Sequence, residues 1–256
     1  MLATQILCTN DDGYLAPGLT LLSRVAARLG DVTVVAPDRE QSATSHSLTV
    51  NRPLRVRQTQ DGLYHVDGTP TDCVLLALGG AIGDRAPDLV LSGVNHGPNL
   101  GEDVLYSGTV AAAMESTLLG IPSVALSFAS DDFEPPGDEY EPLLEKLLTG
   151  IARRSGFPAG TLLNINIPSI GPAEIRGVRV ASLGRRVYLE SLTRMRDPYG
   201  REYFWIGGGK SEWSGRDDSD FRAVAAGYIS LTPLHLDLTD YRLIEEIQTW
   251  DLTLES

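Results

Sequence analysis

Along the first half of the chain, short runs rich in Val, Ile and Leu alternate with stretches whose apolar residues recur at helical spacing. "ATQILCT" is followed by "LTLLSRVAARLG" and then by "DVTVVAPD", the strand-helix-strand pattern of a parallel sheet. The alternation continues. "SLTVNRPLRVRQ" and "GLYHVDG" read as extended strands, "TDCVLLALGGAI" as a buried helix, "DLVLSG" as a central strand, "TVAAAMESTLLG" as a helix and "SVALSF" as a further strand. Up to Phe128 the pattern predicts an α/β fold, a doubly wound and mostly parallel sheet covered by helices.

The character changes after Phe128. "ASDDFEPPGDEYEP" reads as an acidic surface loop leading into the helix "EPLLEKLLTGIARRSG", and "TLLNINIP" as the strand that completes the main sheet. Two aromatic-rich arms, "RVYLESLTRMR" and "REYFWIG", then flank "DPYG", which predicts a projecting hairpin. The tail "YISLTPLHLDLTDYRLIEEIQTW" gives one more strand and a short helix. The expected division is a Rossmann-like catalytic core over residues 1–180 and a hairpin arm with tail over 181–256, whose final strand is free to return to a sheet. An aromatic arm outside a complete core is a candidate oligomer contact.

Composition narrows the function classes. A chain of 256 residues with 42% apolar and 21% charged residues can bury a sizeable core, and no window approaches the ~20 apolar residues that span a bilayer. A soluble protein without a membrane partner is expected. The amino terminus lacks the basic start of a signal peptide, and Cys8 and Cys73 lack disulfide or zinc spacing, so both are expected as reduced core residues of a cytoplasmic protein. The formal charge of −13 opposes a nucleic-acid polymer as partner but leaves room for a small anion held by a local cation or helix terminus. Lys146 and Lys210 are the only lysines, which removes Schiff-base chemistry from the amino-terminal half.

In an open parallel sheet, ligands bind beyond the carboxyl ends of the strands. Three loops there carry short oxygen-bearing side chains: Asp11 and Asp12 in "TNDDG", Ser42 in "APDREQSATSHS", and Asn95 in "SGVNHGPNLGEDVLYSGT". Such oxygens suit Mg²⁺ or Mn²⁺ better than zinc, and adjacent carboxylates repel without a cation. The competing reading of Asn-Asp-Asp-Gly before a helix is a turn and cap. Likewise, Ser107, Gly108 and Thr109 precede an alanine-rich helix and read either as a phosphate site at a helix N-terminus or as an ordinary N-cap. Gly93, Gly97 and Gly101 upstream would let backbone approach a ligand closely.

His46 and His96 lie in these loops, where histidine can contact substrate or protonate a leaving group. The favoured reading is that neither is catalytic, and His65 and His235 read as structural. Other motifs fail. "GGGKS" at Gly207 to Ser211 has Phe204 where a P-loop needs glycine and reads as a hairpin turn, while G-x-G-x-x-G after the first strand and G-x-S-x-G are missing.

With these residues in view, the chain resembles the SurE (survival protein E) family of metal-dependent 5'-nucleotidases, or stationary-phase survival acid phosphatases. The resemblance rests on "TNDDGYLAPGL", "VVAPDREQSATSHSLT", "GTPTDCV", "DLVLSGVNHGPNLGEDVLYSGTVAAAMES" and "GIPSVALS" in family order, extended by "LLNINIP" and "GYISLTPLHLDLT". It implies metal ligands at Asp11, Asp12, Ser42 and Asn95, with Asp11, Asp12 and Asn95 catalytic, and phosphate contacts at Asn99, Ser107, Gly108 and Thr109. It also implies one Mg²⁺ or Mn²⁺ per subunit, a nucleoside 5'-monophosphate substrate, with 3'-monophosphates and short polyphosphate as further candidates, and a homodimer or homotetramer built through the arm and tail. Ala43 departs from the glycine common in relatives, and residues 129–225 match the family weakly. A nucleotide-binding module without turnover and a sugar-nucleotide transferase are the alternatives, separable by their products.

Overall fold

The computed structural model describes residues 4–83, 85–130, 132–152, 160–188, 192–206 and 211–252. The predicted alternation folds as β1 (Gln5–Thr9), α1 (Pro17–Ala26), β2 (Asp31–Pro37), β3 (Val56–Gln60), β4 (Leu63–Val66), α2 (Pro70–Leu78), β5 (Leu89–His96), α3 (Gly108–Leu118), β6 (Ser123–Ala129), α4 (Glu141–Ala152) and β7 (Leu162–Pro168). After it come β8 (Val178–Val180), β9 (Arg185–Tyr188), β10 (Leu192–Arg196), β11 (Glu202–Ile206), β12 (Ser211–Ser214), α5 (Asp220–Ala225), β13 (Ile229–Leu234) and α6 (Tyr241–Ile247).

A nine-stranded sheet runs in the order β3-β4-β2-β1-β5-β6-β7-β13-β8. Strands β4, β2, β1, β5, β6 and β7 are mutually parallel. The chain leaves β1 on one side for β2 and later returns to its other side for β5, so the order reverses between β1 and β5. Connections diverge there and leave a crevice at the carboxyl ends.

Alternating burial explains the two helical layers. In β1, Ile6 and Cys8 face a core formed with Leu19, Leu22 and Val25 of α1 and Leu144 and Leu148 of α4. Leu7 faces the opposite core with Val74 of α2 and Ala112 of α3. A strand buried on both faces cannot alternate apolar with polar, which is why "ILC" reads as a continuous apolar run. Each fully buried Leu or Ile contributes about 1.5–3 kcal/mol. Arg24 on α1 and Arg28 just after it pair with Asp138, Glu141 and Glu145 around α4, and these ion pairs fix orientation more than they stabilise.

Two expectations need correction. Of the extended stretch "SLTVNRPLRVRQ", only its end from Val56 on forms a strand, β3, which continues to Gln60. Upstream, side-chain carboxylates take the backbone amides that a ladder would use: Thr49 N–H donates to Asp72 at 3.0 Å and Arg55 N–H to Asp67 at 2.8 Å, while Pro53 has no amide to give. The strand "TLLNINIP" also does not complete the sheet. β13 adds antiparallel to β7, and β8 adds parallel to β13. β7 is buried nearly throughout, so its free edge needs a neighbour, and the tail supplies one.

The arm consists of two antiparallel ladders, β9 with β12 and β10 with β11. Asp197 to Arg201 forms the tip as predicted for "DPYG", with Gly200 N–H donating to Asp197 O at 2.9 Å. Gly207 to Lys210 of the "GGGKS" turn, and the predicted continuation of α4 through residues 153–156, lie outside the described residues. Cys8 and Cys73 are free and buried, and burial pushes the Cys8 thiol up to about 12. His65, expected to be structural, stacks on Tyr14 with ring centroids 4.4 Å apart. Among the described residues no helix is long and apolar enough to cross a membrane.

Candidate active site

The turn after β1 is made by Asn10 and Gly13, not by the two aspartates. Asn10 Nδ2 donates to Gly13 O at 3.0 Å, and Gly13 has a φ of +98°. Helix α1 begins at Pro17 with Ala16 as an N-cap that offers no side-chain bond, so neither carboxylate caps it. Gly18 then presses against β5, where a Cβ would lie 2.1 Å from Val94 O. The "NDDG" loop is thereby clamped over the switch point with both carboxylates free for other work.

Asp11 is buried and reaches the start of α3. Its Oδ2 accepts the Thr109 N–H at 3.0 Å, and its Oδ1 accepts the Thr109 hydroxyl. Gly108 has to be glycine for this approach, since a Cβ would come within 2.9 Å of Asp11. Asp12 Oδ2 is buried with no hydrogen-bond partner among the described residues. Burial, with the Asp12 charge added, raises Asp11 to about 6 against the two Thr109 bonds. Burial likewise raises Asp12 to about 6, with the Glu40 charge adding to it and a bond from the His96 amide opposing it.

The second loop joins through its backbone, with Gln41 N–H donating to Asp11 O at 2.7 Å. Ser42 is exposed, and its hydroxyl donates to Glu40 at 2.8 Å. Ala43 adopts φ +57°, the left-handed region that favours glycine. Ser45 anchors the loop to the turn before α3, its hydroxyl donating to Leu105 O at 2.6 Å and its N–H to Tyr106 O at 3.0 Å.

The third loop is aimed by a register shift. Against β6, strand β5 carries an extra residue between Ser92 and Asn95, which turns the side chains that follow. Gly93 makes this fit, since a Cβ there would lie 2.2 Å from Leu126 O. Asn95 Nδ2 donates to Gly97 O at 2.9 Å, and its Oδ1 lies 3.4 Å from the Thr109 hydroxyl. That hydroxyl has one proton, and the closer Asp11 takes it, so Asn95 Oδ1 remains an acceptor facing the site.

His96 is half-buried, and Nε2 accepts the Gly18 N–H at 3.4 Å, which puts the ring proton on Nδ1, 3.7 Å from Asp12 Oδ1. Burial holds its pKa below the usual value against the charges of Asp11 and Glu40. His46 instead bonds Glu115 of α3 at 2.7 Å. Glu40 was not legible as a site residue, because its proximity to Asp12 depends on how the second loop folds back. The only local hint was an acidic residue two positions before Ser42.

The expected phosphate segment divides. Ser107 caps α3, accepting the Val110 N–H at 3.1 Å, and Thr109 spends its amide on Asp11, while the Gly108 amide makes no hydrogen bond among the described residues. Asn99 is built into a buried amide network. Its Nδ2 donates to Ser127 at 2.7 Å, its N–H to Asn166 at 2.8 Å, and its carbonyl accepts from Asn164 and Asn166 at 2.8 and 3.0 Å.

Among the described residues no group of three or more His, Cys, Asp and Glu is placed to hold a metal ion. The candidate donors are two carboxylates, an amide and a hydroxyl, which is chemistry for a hard divalent cation. An orphaned buried carboxylate oxygen beside a second carboxylate, both with raised pKa, is a deficit of positive charge that such a cation would relieve.

Comparison with known proteins points the same way. A family model described as "Survival protein SurE" matches residues 6–190. The chain is 56% identical over 248 residues to the 5'-nucleotidase SurE of Gemmatimonas aurantiaca, covering 96% of this chain and 98% of that one. It is 47% identical over 249 residues to the 5'-nucleotidase SurE of Methylococcus capsulatus, covering 96% and 97%. The crystal structure of the SurE protein from Aquifex aeolicus superposes with a TM-score of 0.82 at 43% identity, covering 95% of this chain and 98% of that one.

Proposed function

Because the chain belongs to the SurE survival protein family, we propose that it is a 5'-nucleotidase that hydrolyses nucleoside 5'-monophosphates to nucleoside and phosphate with a divalent metal ion. The observation that carries the reading is the unpartnered buried Asp12 Oδ2 beside Asp11 at the start of α3. Asp11, Asp12, Asn95 and Ser42 would hold a single Mg²⁺ or Mn²⁺ per subunit, Ser42 after exchanging its bond to Glu40. When bound, the ion supplies Lewis acidity to a phosphoryl oxygen and offsets carboxylate charge.

The protein's own part is positioning. Thr109 locks the Asp11 carboxylate, and Asn95 Oδ1 stands in the same cluster. The free Gly108 amide, at the positive end of α3 behind the Ser107 cap, would take part in holding the phosphoryl anion. Asp12, whose Oδ1 lies 3.7 Å from His96 Nδ1, would align the attacking water for in-line displacement. No covalent phosphoenzyme is needed. Asn99 acts by holding the third loop through its amide network.

Residues 1–180 carry the chemistry, and the arm and tail of 181–256 carry assembly into a homodimer or homotetramer. Exposed Leu192, Phe204, Trp205 and Ile206 on β10 and β11 support that role. Two free cysteines support a cytoplasmic location.

The test is phosphate release from a panel of nucleoside monophosphates with EDTA, then with Mg²⁺ or Mn²⁺ restored. Metal-dependent release is expected. Folded, metal-loaded protein that releases none across the panel would refute the reading.

A further inference from the structure

Between the arm and the active site lies the 3₁₀ turn Gly101–Leu105, in the third of the site loops. On one side it is gripped by the base of the arm. Asp220, fully buried, accepts the Gly101 N–H at 2.8 Å on one oxygen and the Gly184 N–H at 2.9 Å on the other. Gly101 packs so closely on Gly184 that a Cβ would lie 2.7 Å from its carbonyl oxygen. Arg186 of β9 donates its backbone N–H to Glu102 at 2.8 Å and its guanidinium to Asp103 at 2.6 Å, and the guanidinium also lies 5.1 Å from the Trp213 ring centre.

On its other side the same turn holds the site. Asp103 O accepts the Ser107 N–H at 3.1 Å, Ser107 caps α3, and Thr109 in its first turn grips Asp11. Leu105 O and Tyr106 O are the anchors of Ser45 in the loop that carries Ser42. One short turn therefore places both the Asp11 clamp and the Ser42 loop, and its own position is set by an arm residue far along the chain. The Arg186–Asp103 pair is 27% and 13% exposed, so removing one partner uncovers a mostly buried charge at the turn.

We propose that Arg186 is a positioning residue for the active site, acting through Asp103 and the Gly101–Leu105 turn on the Asp11–Thr109 clamp. It is not among the residues proposed to hold the metal or the phosphate, and its contacts run to Glu102, Asp103 and Trp213. The proposal rests on the 5'-nucleotidase reading for its kinetic arm and on the oxygen ligand set alone for its metal-binding arm. Coupling of this kind through packed, hydrogen-bonded elements typically changes an equilibrium or rate by about 2- to 30-fold.

The test uses the full chain with Arg186→Ala, the near-isosteric Asp103→Asn and the double variant. Each is assayed for folding by thermal melting, for Mn²⁺ affinity by calorimetry, and for kcat and KM with a nucleoside 5'-monophosphate. Each single variant is expected to lose about tenfold in kcat with KM little changed, and to weaken Mn²⁺ binding severalfold. The double variant is expected to lose no more than the worse single one. Folded variants with unchanged kcat and unchanged Mn²⁺ affinity, or losses that multiply in the double variant, would overturn the proposal. Should Arg186→Ala fail to fold, Asp103→Asn decides it. Should the parent protein hydrolyse no nucleotide, the Mn²⁺ titration still decides this proposal while the nucleotidase reading alone fails.

Discussion

Replacing Asp12 by Asn separates a ligand from a turn residue in one experiment. In the metal-free protein, Asp12 carries its charge at neutral pH in a buried place, with 12% of its side chain exposed and Oδ2 unpartnered. Burial moves its pKa from 3.8 to about 6, with Glu40 adding to the shift. Each unit is worth about 1.4 kcal/mol, which bounds the cost of the charge at about 3 kcal/mol. The new amide donors of asparagine, which need acceptors in this buried place, reduce the expected gain from Asp12→Asn to about 1–2 kcal/mol. At roughly 2–4 °C per kcal/mol for a chain of this size, the variant without metal should melt about 2–8 °C higher at pH 7.5.

The sign follows from proton binding. Between the unfolded pKa of 3.8 and the folded value of about 6 the native state binds more protons, so the wild type loses stability as pH rises through that window. The advantage of the variant is therefore full above pH 6 and gone below pH 4. Adding Mn²⁺ at a hundred times Kd should stabilise the wild type by about 2.7 kcal/mol and the variant hardly at all. Melting curves at several pH values, with EDTA and with Mn²⁺, read every part of this. A metal-free variant that melts below the wild type at pH 7.5 and still gains stability from Mn²⁺ would refute the charge-deficit reading of the site.

Two further outcomes follow from the same geometry. Thr109→Val keeps the shape but strips the hydroxyl from buried Asp11 Oδ1, so urea melts should show about 1–3 kcal/mol of destabilisation and phosphate release should fall. An unchanged midpoint and rate would remove Thr109 from the clamp. Gly18→Ala pits a helix-propensity gain of about 1 kcal/mol against a Cβ 2.1 Å from Val94 O, an overlap that forces α1 off β5 and costs about 3 kcal/mol or more. A net loss near 2 kcal/mol in denaturant unfolding is expected, and a stabilised variant would contradict the close packing of the first loop on β5.

Much of this molecule is written in short-range pattern. The period of apolar residues distinguishes strand from helix because burial on one stripe or on both faces is a local property of each segment. The same pattern places the loops "TNDDG", "APDREQSATSHS" and "SGVNHGPNLG" at the carboxyl ends of strands, where an open parallel sheet binds its ligands. The short oxygen-bearing side chains of those loops are Asp11, Asp12, Ser42 and Asn95, the same four that the family likeness implies.

What the pattern left open was whether "NDDG" is a turn or a ligand pair, and only tertiary packing divides those roles among its residues. Asn10 and Gly13 make the turn, Asp11 reaches a threonine 98 positions away, and Asp12 keeps an oxygen that no described residue satisfies. The same holds for the end of the sheet, where β13 pairs with β7 and extends it, and for Asp220, which grips Gly101 across 119 positions. The physical reason is common to all three. Local sequence sets which backbone and side-chain groups each segment carries, but burial strips them of water only once distant segments meet, and the partner each group then finds is a property of the assembled fold.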